Sequence, residues 1–537
     1  MQRKDFIQQV LALTGLATLA NACGTASPRS IPGRITGASA TVGHWLRDGK
    51  QPGTPSTTTT TNVAIIGAGI SGLSAARWLH QQGQSNFLLL DLEAQTGGNA
   101  VSGQNNTSAY PLGAHYIPLP NNDLPEYLDF LRQCAVITGA DEKGQPLYNE
   151  YYLCFEPEER LYINGTWQKG LVPHHGLPPA DLQQIDRFMA AMRAMREAKG
   201  SDGFFAFSIP VNRSSTDTLY TQLDQLTFKD WLQQNGYTSP YLHWYANYCT
   251  RDDFGTDYSR VSAWAGIHYF AARRGTAANA ESQDVLTWPA GNGWLVAQLQ
   301  KESEQQLRLN SMVLSVKQVG QGVEVLYMDV LTQQTHAILA KQCIMAVPQM
   351  VAARLLNDAE RKQTVHHHFA YAPWMVANLT VGKLQERRGV DMCWDNVVYG
   401  STALGYVDAT HQNIAQQQNK KVLSYYWPLS GPDPVAERRA AQQKAHADWT
   451  ALVLNDLEKL HENIRDVTEN IDITLWGHGM IQPLPGFVQG TARRQMAQPI
   501  NDRIFFAHTD IAGISIFEEA FYQGIAAAQA VLKQNNA

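Results

Sequence analysis

Apolar and polar positions along this chain fall into blocks whose period changes at glycines. Val63, Ala64, Ile65 and Ile66 make an unbroken apolar run rich in β-branched residues, the composition of a strand buried on both faces. The turn Gly67-Ala68-Gly69-Ile70-Ser71-Gly72 comes directly after it. Leu73, Ala76 and Leu79 then recur at helical spacing until Gly83, which ends the helix. Phe87 to Leu90 supplies a second strand, so the pattern reads strand, glycine turn, helix, strand. Further along, Ser311 to Val325 alternates as a strand does, Cys343 to Val347 is an apolar run closed by Pro348, and Ile504 to Ala507 is another short one. The expected fold class is α/β, built on a Rossmann-like unit.

The N-terminus has a different pattern. After Arg3 and Lys4, an uncharged run extends from Phe6 to Cys23, and its apolar middle, Val10 to Ala20, is too short to span a bilayer. Residues 1–23 are therefore expected to be an export signal. Gln2 to Gln8 resembles a twin-arginine translocation signal with Lys4 in place of the second arginine. Leu19 to Cys23 resembles a lipoprotein cleavage site with Ala20 where leucine is usual; a plain signal peptide cut near Ala22 is the alternative. Residues 24–60, rich in Ser, Thr, Gly and Pro, are expected to be a flexible linker. Together these features imply an exported, periplasmic protein with a possible lipid anchor.

At 537 residues the chain exceeds what one core supports, so two or more folding units are expected. With 42 basic against 48 acidic residues and a net charge of −6, it offers no electrostatic footprint for nucleic acid. The six cysteines, Cys23, Cys134, Cys154, Cys249, Cys343 and Cys393, have no metal-like spacing, and no metal site is expected. His366, His367 and His368 are adjacent and point in different directions, which suits an exposed face better than a metal.

The glycine turn carries specific chemistry. Gly67 permits the tight turn, Gly69 lets a pyrophosphate approach the backbone, and Gly72 lets helix and strand pack closely. The helix that starts at this turn, with Ser71 in its first turn, presents free N–H groups to a diphosphate. Asp91, 24 residues after Gly67, ends the second strand, where a carboxylate accepts from ribose hydroxyls and repels a 2′-phosphate.

The segment after the second strand separates two dinucleotides. Asp91-Leu92-Glu93-Ala94-Gln95-Thr96-Gly97-Gly98 resembles the extension found in the flavin amine oxidase superfamily, which spans monoamine and polyamine oxidases and phytoene desaturase-like enzymes. Asn99 stands where that family usually has arginine. Gly113-Ala114-His115 resembles its glycine segment beside the isoalloxazine. Ile504 to Asp510 resembles the strand whose acid holds the ribityl chain, and Ser515 to Gly524 resembles the helix start under the flavin. Leu286 to Leu295 resembles the return to the cofactor domain, and Val313 falls where the backbone meets adenine.

The resemblance covers roughly residues 62–535. It implies FAD, held by Gly67, Gly69, Ser71, Gly72, Asp91, Gly98, Asn99, Gly113, Ala114, His115, Val313, Asp510 and the backbone N–H of Phe517. It also implies an α/β fold with a Rossmann-like FAD-binding domain in three parts, 61–116, 285–348 and 485–537, and a discontinuous α+β substrate domain of 117–284 and 349–484.

The implied reaction is removal of a hydride from a small organic substrate, with an amine or polyamine favoured. Many family amine oxidases place a lysine near the flavin. Here Val376 occupies the best-aligned position and the next lysine is Lys383, so a desaturase or dehydrogenase with another electron acceptor stays open, as does a non-catalytic FAD-containing assembly factor. Since no cysteine comes after Cys393, a C-terminal cysteinyl-flavin bond is excluded. Catalytic residues are not identified. Asp252, Asp253, Glu518 and Glu519 are candidates to attract a cation, against the alternative that they are solvated. Trp264, His268 and Tyr269, with Trp476 to Met480, are candidate pocket walls against an ordinary structural role.

Overall fold

The structure, a computed structural model, describes residues 30–45, 48, 53–414 and 419–535. The signal and cleavage site lie outside the described residues. Two sheets organise the rest. In the first, Thr57–Ile66 pairs in parallel with Phe87–Leu90 on one side and with Thr335–Met345 on the other. Ile504–Phe506 joins Thr335–Met345 in parallel, and the hairpin of Ser311–Val319 and Gly322–Asp329 extends the sheet antiparallel. The central strands carry near-continuous apolar runs because helices cover both faces. On one face Ile70–Gln81 packs on Phe517–Asn535, and Gly524 makes this possible, since any Cβ there would strike the Ser71 carbonyl oxygen.

The second sheet has eight strands, including Thr468–Ile481, Tyr371–Val381 and Lys421–Pro428, and ends in Glu159–Ile163 and Thr166–Lys169. Its alternation decides the fate of each side chain. Met375, Ala377, Leu379, Ile471, Ile473 and Tyr425 bury against Trp449, Val453 and Leu457 of the helix His446–Leu457. The opposite set, Trp374, Val376, Tyr426, Trp476 and His478, faces a cavity shared with the first sheet.

Two expectations about the chain's organisation are corrected. The 24–60 segment is not a free linker throughout: Ile35–Gly37 adds a parallel edge strand against Ile473 to Leu475, and Thr57 to Thr61 extend the first sheet's central strand against His336 to Ala340. Threonine is β-branched, so the Thr-rich run that reads as low complexity also suits a strand. In addition, the start of the 349–484 segment packs with the first sheet, since Ala352, Leu355 and Val365, from Gln349–Leu355 and Ala359–His368, share a core with Ile66 and Met345.

The arm formed by residues 31–45 joins both sheets. Beyond Ile35–Gly37, the Ser39 N–H and hydroxyl donate to Glu93 at 2.9 and 2.7 Å, and Val42 and Trp45 pack on Leu92, Met312 and Leu314. Glu93→Ala removes two bonds to a half-buried carboxylate and is expected to lower unfolding free energy by about 1–3 kcal/mol, read by denaturant titration. An unchanged midpoint would show that the arm is not fastened there.

Candidate functional site

The cavity begins where the first strand ends. Gly67 adopts φ +98°, a left-handed conformation that favours glycine, and a Cβ on it would strike the Ala346 carbonyl oxygen. Gly72 faces the Gly67 carbonyl with no room for a side chain, which makes it a packing residue behind the wall. Gly69 is different. Its backbone, φ −72° and ψ −176°, is open to any residue, and a Cβ there would meet nothing within 4 Å. The space above Gly69 is therefore cavity, bounded by the unpaired N–H groups at the start of Ile70–Gln81.

Asp91 closes this turn, accepting from the Ala68 N–H at 2.5 Å and the Glu93 N–H at 2.8 Å. Burial pushes its carboxyl up to about 6 against those bonds. Gly97 donates to the Ala68 carbonyl, and Asn99 donates to the Gly479 carbonyl. Asn99 thus ties the cradle to the second sheet, and its own carbonyl accepts from Ala114 at 2.9 Å.

At the far end the long helix Phe517–Asn535 points its N-terminus into the cavity. Asp510, 1% exposed, lies beside it. Its carboxylate accepts from the Gln349 N–H and the Tyr371 hydroxyl, both at 2.7 Å, and His508 Nδ1 is 3.0 Å away. Burial alone would raise this carboxyl, but the His508 charge and these bonds hold it below its ordinary value.

The second sheet contributes aromatic groups. Trp374 stands opposite Trp476, and Val376 opposite Tyr426, across adjacent strands. The Tyr426 hydroxyl donates to the Gly113 carbonyl at 3.0 Å, and Trp476 Nε1 donates to the Leu112 carbonyl at 2.6 Å. His115 stacks on Tyr426 with ring centroids 4.4 Å apart. Burial lowers His115 to about 3, so it is neutral at ordinary pH.

A cluster of charge completes the wall. Asp252 and Asp253, near the C-terminal end of Pro240–Phe254, and Glu518, in the first turn of the long helix, meet around Arg273. The guanidinium lies 3.7 Å from Asp253 and 3.5 Å from Glu518. Burial and the neighbouring Asp253 push Asp252 up to about 7, while burial raises Asp253 to about 6 against Arg273.

Comparison with known proteins gives this cavity its setting. The profile of the flavin-containing amine oxidoreductases matches residues 70–532. The chain belongs to that family. It is an FAD-dependent oxidoreductase, and the reading as a non-catalytic assembly factor gives way. Solved structures share the fold at low identity. Wild-type putrescine oxidase bound to putrescine is 16% identical with a TM-score of 0.64, over 89% of this chain and all of that one. Cyclohexylamine oxidase from Brevibacterium oxydans IH-35A is 14% identical, TM-score 0.63, with the same coverage. A fatty acid isomerase from P. acnes is 15% identical, TM-score 0.58, over 87% of this chain and 97% of that one. The curated proteins contain no match to the chain.

For this flavin amine oxidoreductase, the cavity wall brings together eleven of the thirteen expected cofactor residues: Gly67, Gly69, Ser71, Asp91, Gly98, Asn99, Gly113, Ala114, His115, Asp510 and Phe517. Gly72 and Val313 lie outside it. Gly72 packs behind the turn as its glycine role requires, whereas Val313, expected to offer its backbone, has its side chain buried in the core and is not among the cavity-lining residues. Asp252, Asp253 and Glu518 line the cavity wall, Glu518 buried and the two aspartates half-buried, so none of the three lies on an exposed face. Glu519 faces away, accepting from the Val211 N–H at 2.5 Å.

Trp264 and His268 are core, His268 bonding the Ser208 carbonyl at 3.0 Å, while Trp476, His478, Gly479 and Met480 do line the cavity. His366 to His368 are exposed, and among the described residues no group of side chains is arranged to hold a metal. Sequence reading missed Tyr116, Arg273, Gln349, Tyr371, Trp374, Tyr426 and His508. Alternation along Tyr371–Val381 and Lys421–Pro428 carried a signal for Trp374 and Tyr426, but both faces of those strands are apolar, so period two alone does not say which face is the cavity.

These residues fit FAD. The open space at Gly69 and the adjoining helix start suit a diphosphate, Asp510 suits a hydroxyl-bearing chain, and the Phe517 N–H suits the electron-rich edge of a flavin. Gly69→Val is expected to fold as the wild type does, because a Cβ at this position meets nothing within 4 Å, yet to lose FAD binding. Asp510→Ala is expected to lower FAD affinity by about one to two decades and also to destabilise the apo-protein, because it strips two buried donors of their acceptor. FAD titration and apo-protein melting on both variants check this. A fully loaded Gly69→Val protein would show that the diphosphate lies elsewhere.

Proposed function

We propose that the enzyme oxidises a small amine. The observation that carries this reading is Asp252, which lines an aromatic cavity on the same wall as the Phe517 helix start and makes no ion pair with any described residue, whereas Asp253 beside it faces Arg273. A carboxylate partly withdrawn from water costs free energy unless a cation or hydrogen bonds compensate it, and for Asp252 an ammonium group supplies the cation. Tyr116, Trp374, Tyr426 and Trp476 supply aromatic surface for the carbon skeleton and, facing a cation, favourable quadrupoles.

When bound, FAD would accept the hydride from the carbon bearing the amine once the ammonium has given up a proton, because the freed nitrogen lone pair must form the C=N bond as the hydride leaves. The chain's own residues orient, desolvate and manage charge. Tyr426 and Trp476 hold the Leu112 to Gly113 backbone through their hydrogen bonds, which fixes the segment on which His115 and Tyr116 stand. The Phe517 helix start offers positive potential where charge develops. Putrescine oxidase and cyclohexylamine oxidase, which share the fold, are named for amine substrates, and this supports the reading.

A second observation bears on the electron acceptor. Val376 is in the cavity wall, and no lysine lines the cavity among the described residues. This favours an acceptor other than O₂.

Mixing the FAD-loaded protein with a panel of primary and secondary amines in the absence of oxygen is expected to bleach the flavin absorbance, and admitting air afterwards to restore it slowly. Because a carboxylate must be ionised to hold an ammonium, amine affinity is expected to rise as pH climbs through about 7, the position of Asp252. An unbleached spectrum with every amine, alongside bleaching by a substrate of another class, would overturn the proposal.

A further inference from the structure

The acids of the cavity are not equivalent. Arg273 is the only arginine or lysine among the described lining residues, and it stands between Asp253 and Glu518 at 3.7 and 3.5 Å. It comes from the chain just after the helix Ala263–Ala271, whereas its partners come from two other helices, so three elements fix its position. Glu518 is 3% exposed and also has the positive end of its own helix beside it. Asp252 lines the same cavity and makes no ion pair with any described residue; the charged groups that act on it or on which it acts are Asp253, Arg273, Arg251 and Asp395, with the Tyr116 hydroxyl beside it. Arg251 is committed elsewhere, donating to the carbonyls of Ser401 and Thr402.

An ammonium entering this cavity therefore meets one acid without an ion pair and two already held by a resident cation. A second ammonium on the same molecule would have to approach the guanidinium of Arg273, and like charges brought together away from water repel strongly. Resting on the amine reading above, we infer that Arg273 is a specificity-determining residue: by occupying Asp253 and Glu518 it leaves Asp252 to take the ammonium and restricts the enzyme to amines with a single positive charge and an apolar or aromatic remainder. Arg273 acts through charge on substrate choice. Asp252 is the group that touches the substrate.

The test compares hexylamine with 1,6-diaminohexane on the FAD-loaded enzyme without oxygen, reading flavin reduction for apparent affinity and limiting rate. The wild type is expected to favour the monoamine by at least about tenfold in apparent affinity, since the like-charge cost falls on the diamine alone. Arg273→Gln frees two carboxylates and is expected to bring the ratio to about one or to reverse it, while Arg273→Lys keeps the charge and the wild-type preference. Asp252→Asn is expected to weaken hexylamine by about tenfold or more and to leave inhibition by uncharged hexanol unchanged.

A wild type that prefers the diamine would overturn the inference, as would an Arg273→Gln enzyme that loads FAD and keeps the wild-type ratio. Should Arg273→Gln fail to load, Asp252→Asn decides, and unchanged hexylamine affinity there sinks the inference. If neither amine reduces or perturbs the flavin while another substrate class does, the amine reading itself has failed. If both amines reduce it equally, only the charge restriction has.

Discussion

The close approach of Gly67, Gly72 and the Ala346 carbonyl is the constraint on which the rest of the molecule depends. A side chain at Gly67 would strike Ala346, and one at Gly72 would strike Gly67, so strand, turn and helix meet at backbone contact. That contact leaves the space over Gly69 empty of protein and sets the start of Ile70–Gln81 against it. Asp91 then locks the turn through the Ala68 N–H, and Gly97 adds a second tie to the Ala68 carbonyl. In the cofactor placement we propose, this space would be the fixed point that holds the diphosphate, and the flavin end would extend toward Asp510 and Phe517.

From that fixed point the two sheets share one cavity. The first brings glycines and helix starts, which suit phosphate and the polar edge of a flavin. The second brings one face of its strands, with Trp374, Val376, Tyr426 and Trp476. Contacts that join them include Asn99 to the Gly479 carbonyl, Tyr371 to Asp510, Tyr426 to the Gly113 carbonyl and Trp476 to the Leu112 carbonyl. The same side chains that line the cavity also hold the sheets in register, so substrate-facing and structural roles are not separable at Tyr371 or Tyr426. Asp510 illustrates this. The resemblance implies a ribityl contact, yet its carboxylate already serves the Gln349 N–H and the Tyr371 hydroxyl, so it is also a structural tie.

Legibility in the sequence tracked locality. The βαβ unit could be read because its signal lies within 40 residues and each glycine has a steric reason. The C-terminal segment from Ile504 to Gly524 could be read by its resemblance to a family. Arg273 could not, because what makes it matter is its distance to Asp253 and to Glu518, 245 positions later in the chain by the difference of their numbers. The Thr57 to Thr61 run misled in the other direction: its composition reads as a linker, and only the partner strand Thr335–Met345 makes it a sheet. Val313 was placed by analogy for its backbone, and its side chain is buried in the core.

The most direct test of this account is a fluorescence titration of the apo-protein with FAD and, separately, with FMN. Because the fixed point is the diphosphate cradle over Gly69, FAD is expected to saturate one site per chain. FMN, lacking the second phosphate and the adenosine, is expected to bind at least about a hundredfold more weakly. Equal affinity for the two would contradict the account, since it would mean that the Gly67 to Gly72 turn contributes nothing to holding the cofactor.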